Sequence, residues 1–195
     1  MERKADIHRK TNETDIHLKL NLDGSGQSDI TTGIGFFDHM LTLFIMHGFF
    51  DMTIRAKGDL DVDLHHTVED VGIVLGDAFM QAMGNRKGIN RFGQAVTPMD
   101  ETLAEVTVDL SNRPYLIYNL PTIDHFGQNF NSGLAREFFR AFAVKAGLNL
   151  HINLRYGDDP HHILEAIFKA WGRAMDQALA YDDRIKNVRS SKGII

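Results

Sequence analysis

A chain of 195 residues, 43% hydrophobic and 24% charged, is long enough to bury a substantial core and reads as one domain or two small fused halves. A net charge of −5 argues against a general nucleic-acid surface, and the absence of cysteine excludes disulfides and thiolate ligands and fits a reducing compartment. No apolar run approaches a membrane span and the start, MERKADIHRK, lacks the apolar segment of a secretion signal, so a soluble cytoplasmic protein is expected, with neither nucleic acid nor membrane as partner.

In chain order, residues 3–10 and 13–22 predict a hairpin. Ile16, Leu18, Leu20 and Leu22 alternate with Asp15, His17, Lys19 and Asn21, the period-2 pattern of a half-buried strand. Asp23-Gly24-Ser25-Gly26 turns the chain. A mostly apolar helix is expected over 36–47, with His39 and His47 as its polar exceptions on similar faces. A strand over 49–57 and an acidic turn over 58–63 lead to a long helix ending near Met83, which Asp63 is placed to cap. Gly84 to Gly88 break it.

The same order then returns. Residues 89–97 and 102–110 predict a second hairpin around Pro98-Met99-Asp100, and 115–120 a further strand. A helix over 133–146 and a strand over 148–156 follow. Asp159-Pro160 supplies an N-cap and a proline at the first helical position for a last helix running to about Ala180. Glu13-Thr14 opens one strand of the first half and Glu101-Thr102 opens its counterpart. The mixture of strands and helices predicts an α+β fold, internally duplicated as residues 1–87 and 88–195. Each half has a sheet covered on one face by two helices, and the halves form one fused unit.

The repeated element that carries chemistry is H-H-x-x-E, at His65-His66-Thr67-Val68-Glu69 and at His161-His162-Ile163-Leu164-Glu165, 96 residues apart. On a helix, residues i and i+4 share a face, whereas neighbours diverge by roughly 100°. His65 with Glu69, and His161 with Glu165, can therefore each grip one ion. If the copies face each other across a pseudo-two-fold, His66 completes the site begun by His161 and Glu165, and His162 the one begun by His65 and Glu69. Imidazole and carboxylate without thiolate suit manganese, iron or zinc, and an octahedral preference favours manganese or iron. Whether such sites close within one chain or between chains stays open at this level.

The chain closely resembles the imidazoleglycerol-phosphate dehydratase family over nearly its whole length. The resemblance rests on Arg9 to Thr14, FFDHML at 36–41, HHTVED at 65–70, Arg91-Phe92-Gly93, Asp109 to Pro114, HHILEAIFKA at 161–170 and Ser190-Ser191-Lys192-Gly193. It implies two Mn2+ per active site and a 24-subunit assembly whose metal sites are shared between chains. One ion would take His39, His66, His161 and Glu165. The other would take His65, Glu69, His162 and residue 137, where many relatives have histidine and this chain has Glu137; a carboxylate oxygen also suits manganese. The implied catalytic set is Glu13, His39, His47, His65 and Glu69. Contacts to substrate and its phosphate fall to Glu13, His39, His47, Arg91, Arg113, Lys169, Ser191 and Lys192. Arginine offers paired donors to phosphate oxygens.

The implied reaction converts D-erythro-imidazoleglycerol phosphate to imidazole acetol phosphate in histidine biosynthesis. Hydroxide is a poor leaving group, and the proton on the next carbon has no adjacent carbonyl. In the mechanism the resemblance implies, metal ions on both ring nitrogens would favour an imidazolate able to expel the hydroxyl through a diazafulvene-like intermediate. Glu13 is the expected acid–base, and Asp70 is placed to orient a ligand histidine. Two competing readings remain: a dinuclear hydrolase indifferent to imidazole, and a metal-storage protein with no use for Glu13 or the arginines.

Overall fold

The computed structural model describes residues 2–125 and 130–195. The strands are β1 (Lys4–Lys10), β2 (Thr14–Asn21), β3 (Ser28–Thr31), β4 (Asp51–Gly58), β5 (Phe92–Met99), β6 (Thr102–Asp109), β7 (Tyr115–Asn119) and β8 (Asn149–Tyr156). The helices are α1 (Gly35–Gly48), α2 (His65–Met83), α3 (Ser132–Ala146) and α4 (Pro160–Leu179). Two four-stranded sheets form with the same order, β1-β2-β4-β3 and β5-β6-β8-β7. In each, the first three strands are antiparallel and the last pairs parallel to its neighbour, through α1 in one case and α3 in the other. A parallel pair requires such a crossover, and a helix supplies it.

The alternation seen in β2 buries Thr14, Ile16, Leu18 and Leu20. Asp63 accepts from the His65 N–H at 2.8 Å, and Asp159 from those of His161 and His162 at 2.7 and 3.3 Å. Carboxylates therefore satisfy exposed amides at the start of both H-H-x-x-E helices, favourably placed against the helix dipole. α3 stops at Gly147 and α1 at Phe49, each with a left-handed residue (φ 65° and 55°).

Each sheet is covered on one face by two helices: α2 with α1 on the first, α4 with α3 on the second. The helices also exchange partners, because α2 packs against α3 and α4 against α1. Glycines let these crossings close. A Cβ at Gly172 would lie 2.5 Å from the Phe44 carbonyl oxygen, and one at Gly76 2.9 Å from the Phe142 carbonyl oxygen. Between the sheets an aromatic core forms around Trp171, which is fully buried and stacks on Phe44 at 3.6 Å between ring centroids. Phe138, Phe139, Phe142 and Phe168 meet the indole edge-on. Truncating a side chain so enclosed costs about 3–5 kcal/mol.

Two local readings differ from expectation. β3 is absent from the sequence pattern because its four residues, SDIT, offer only Ile30 as an apolar member and sit on a sheet edge. Pro98 belongs to β5 and not to the turn, which is made by Asp100 (φ 47°) and Glu101. β5 is also an edge strand, where a residue lacking an N–H is tolerated. No helix among the described residues is long and apolar enough to cross a membrane.

Candidate metal and substrate site

The exchange of helix partners brings together residues from both halves. His39 stands near the start of α1, where Asp38 accepts from the Thr32 N–H and hydroxyl at 2.9 and 2.5 Å and fixes the turn into the helix. α4 lies against α1, so His39 meets the first turns of the second H-H-x-x-E helix. Glu165 Oε2 lies 3.2 Å from His161 Nε2 and 3.4 Å from His39 Nε2. One ligand atom from each of these residues falls within 4.8 Å of the others. The second oxygen of Glu165, Oε1, accepts from Lys169 Nζ at 2.5 Å. Burial pushes the Glu165 carboxyl up, but bonds and charge from Lys169 and His39 outweigh it and hold the group below the ordinary carboxylate range. Three donors with an ionised carboxylate among them form a cation site in outline.

The pseudo-symmetric residues lie where α2 crosses α3 and are more widely spaced than the first group. His65 Nε2 is 3.5 Å from Glu69 Oε2, as expected for i and i+4. Glu137, on α3, reaches the same region through Arg140, whose guanidinium bonds both Glu69 at 3.0 Å and Glu137 at 2.8 Å. Arg140 is absent from the sequence reading, and only its i+3 spacing from Glu137 could have flagged it.

His66 and His162 stand apart from both clusters. His66 Nδ1 donates to Asp59 at 2.9 Å, and His162 Nδ1 donates to Glu101 at 2.8 Å. An ionised carboxylate can only accept, so each ring keeps its Nε2 lone pair free when neutral. The same bonds raise both histidines' pKa above the ordinary value, and His162 in turn holds Glu101 well below the usual carboxylate range.

Glu13 sits in the turn between β1 and β2, half exposed, with Oε1 3.9 Å from His66 Nε2. Its counterpart Glu101 is occupied by His162, the Asp159 N–H at 3.0 Å and the Thr102 hydroxyl at 2.9 Å. Asp59 takes the corresponding place beside His66 and leaves Glu13 free of that task. The Glu13/Glu101 correspondence was visible in sequence, whereas Glu101's bond to a histidine was not. Asp70 does not orient a histidine. It is buried and accepts from the Thr14 hydroxyl at 2.5 Å and pairs with Arg9 at 2.6 Å, tying α2 to the first hairpin.

Arg91, Arg113, Ser191 and Lys192 converge on one cavity of about 490 Å³, with Asn112 and Arg189 also in its wall. Arg91 and Asn112 adopt positive φ, 72° and 55°. Arg91 binds Asp109 through Nε and a terminal nitrogen at 2.6 and 3.0 Å and donates to the Arg189 carbonyl at 2.7 Å, so it also pins the C-terminal segment. Lys169 does not line this cavity; it serves Glu165. His47 lies farther along α1, half-buried, and burial followed by the charges of Lys169 and Arg173 lowers its pKa. A larger cleft of about 680 Å³, lined by strands of the first sheet with Lys4, Asp6 and Asp29, holds none of these groups. Size does not mark the site here.

The imidazoleglycerol-phosphate dehydratase family model matches residues 32–175. The imidazoleglycerol-phosphate dehydratases of Trichlorobacter lovleyi and Acetivibrio thermocellus are 57% and 55% identical over 195 residues, with 100% of both chains covered. The crystal structure of the Staphylococcus aureus enzyme superposes with a TM-score of 0.82 at 39% identity, covering 92% of this chain and 99% of that one. IGPD from Pyrococcus furiosus gives 0.84 at 36% identity, covering 97% and 100%. With the fold, the duplicated helices and end-to-end similarity in agreement, the chain belongs to the imidazoleglycerol-phosphate dehydratase family, the hydro-lyases of histidine biosynthesis.

Proposed function

We propose that the chain dehydrates D-erythro-imidazoleglycerol phosphate to imidazole acetol phosphate, using two Mn2+ per active site in sites shared between neighbouring chains of a cytoplasmic 24-subunit assembly. The observation that carries this reading is the convergence of His39, His161 and Glu165 from two helices. Imidazoles and an ionised carboxylate suit a hard-to-borderline divalent ion, and Glu165 turns Oε2 to both histidines while Lys169 holds Oε1. One ion would be held by His39, His161 and Glu165 with His66 of a neighbour. The second would be held by His65, Glu69 and Glu137 with a neighbour's His162. When bound, the ions supply Lewis acidity that favours the anionic form of the substrate ring.

The chain's own groups do the rest. Asp59 and Glu101 support His66 and His162 at Nδ1, which leaves Nε2 of each to serve as a ligand in a site of a neighbouring chain. Glu13, spared by Asp59 the task that holds Glu101, is the acid–base: it donates a proton to the departing hydroxyl and accepts one from the next carbon. The cationic cavity takes the phosphate through Arg113, Ser191 and Lys192, with Arg91 ordering its wall. Among the described residues that cavity is lined by no candidate metal ligand, which supports a substrate spanning residues of more than one chain.

Turnover by metal-stripped protein, measured with native mass before and after adding Mn2+, tests the reading. Recovery of dehydration together with a shift to the larger assembly is expected. Mn2+ uptake without turnover would contradict it.

A further inference from the structure

Glu69 on α2 and Glu137 on α3 approach one another where the two helices cross, and two carboxylates held this close repel unless a cation lies between them. Arg140 is that cation. It projects one turn after Glu137, remains half exposed, and gives one bond to Glu69 Oε1 at 3.0 Å and another to Glu137 Oε2 at 2.8 Å. It does not take the oxygen of Glu69 that matters for ligation: Oε2 is turned toward His65 Nε2 at 3.5 Å.

The other half divides its glutamate in the same way. Lys169 holds Glu165 Oε1, and Oε2 faces His161 and His39. In the first H-H-x-x-E helix the position equivalent to Lys169 is Ile73, which offers no charge. The cation arrives instead from the neighbouring helix. Two cations from unrelated positions thus do one task, and both act on the oxygen that faces away from the histidines.

We infer that Arg140 is a positioning residue for the His65–Glu69–Glu137 half-site, gripping one oxygen of each of two carboxylates so that their remaining donors stay turned to an incoming divalent ion. The inference rests on the metal reading above. It opposes the alternative in which Arg140 merely fills the place of the ion and competes with it. Reach from the rim onto Oε1 favours support over competition, and outer partners of this kind contribute about 10–100-fold to metal affinity.

Mn2+ binding to the assembled protein, followed by calorimetry and by the electron paramagnetic resonance signal of free Mn2+, separates these. In Arg140→Gln one of two classes of site should weaken by about 10–100-fold while the other holds. Arg140→Lys should recover part of the loss. The metal-free Arg140→Gln protein should stay folded but melt somewhat below wild type, because Glu69 and Glu137 lose the cation between them. Two unchanged classes, or tighter binding in Arg140→Gln, would overturn the inference and leave the metal reading intact. No Mn2+ binding by wild type would overturn both.

Discussion

Gly76 and Gly172, 96 residues apart, occupy the same place in two helix crossings: each lets a neighbouring helix backbone approach an H-H-x-x-E helix to within a methyl's width. Gly172 meets the Phe44 carbonyl of α1, and Gly76 meets the Phe142 carbonyl of α3. These crossings set the separation of His39 from His161 and of Glu137 from Glu69. Packing and ligand geometry are therefore coupled.

Gly172→Ala should lower stability by about 1–3 kcal/mol, because the new methyl meets backbone that cannot yield. This outweighs the roughly 1 kcal/mol that alanine gains over glycine inside a helix. Urea unfolding of the metal-free protein measures the difference. Increased stability would mean that the crossing relaxes freely and does not set the ligand spacing.

Glu13→Gln should leave fold, assembly and Mn2+ content in place while turnover falls by at least roughly a hundredfold, the loss typical of a general acid–base. Glu101→Gln offers a contrast, since Glu101 is committed to His162, Asp159 and Thr102. Its effect should fall on metal affinity first. Equal turnover in Glu13→Gln and wild type would remove Glu13 from the reaction.

Arg113→Ala and Lys192→Ala should each raise KM for the phosphorylated substrate by about tenfold or more, as for loss of one charge-assisted hydrogen bond. Mn2+ affinity should not change, because no candidate metal ligand among the described residues lines their cavity. A loss of metal with an unchanged KM would place these residues elsewhere in the mechanism.

The acid side of the stability profile should carry a contribution from Asp51. Its carboxylate accepts the Ser25 and Gln27 N–H groups at 2.8 and 3.0 Å and closes the loop before β3. Those backbone bonds hold its pKa below the ordinary 3.8. A folded pKa below the unfolded one means that the stabilisation is complete above the ordinary value and is lost as pH falls through the depressed one. Wild type should thus exceed Asp51→Asn in thermal stability at pH 7, and the gap should narrow below about pH 4. A gap independent of pH would show that the charge is irrelevant.

Much of this was legible in the chain because its signals are local. The alternation of β2, Asp159-Pro160 ahead of α4 and the repeated H-H-x-x-E each depend on neighbours in sequence. What escaped depends on tertiary partners. An apolar helix such as α1 declares that it is buried but not against which helix, so the exchange that seats His39 beside Glu165 has no signature in the apolar pattern alone. β3 escaped because an exposed four-residue edge strand needs no apolar alternation. Asp70 was expected beside a histidine because it follows Glu69, yet the helix turns it inward to Arg9 and Thr14. Arg140 resembles any surface arginine until α2 is laid against α3.

The central claim is that His66 completes, on a neighbouring chain, the site built by His39, His161 and Glu165. Within one chain His66 lies instead with Asp59 and Glu13. Complementation tests this most directly. His66→Ala and Glu165→Gln proteins, each inactive alone, are dissociated without metal, mixed, and reassembled with Mn2+, with mixed assemblies verified by native mass spectrometry. Recovery of imidazoleglycerol-phosphate dehydration in the mixture is predicted, since some interfaces then join an intact His66 to an intact Glu165. Mixed assemblies as inactive as either parent would contradict a site shared between chains.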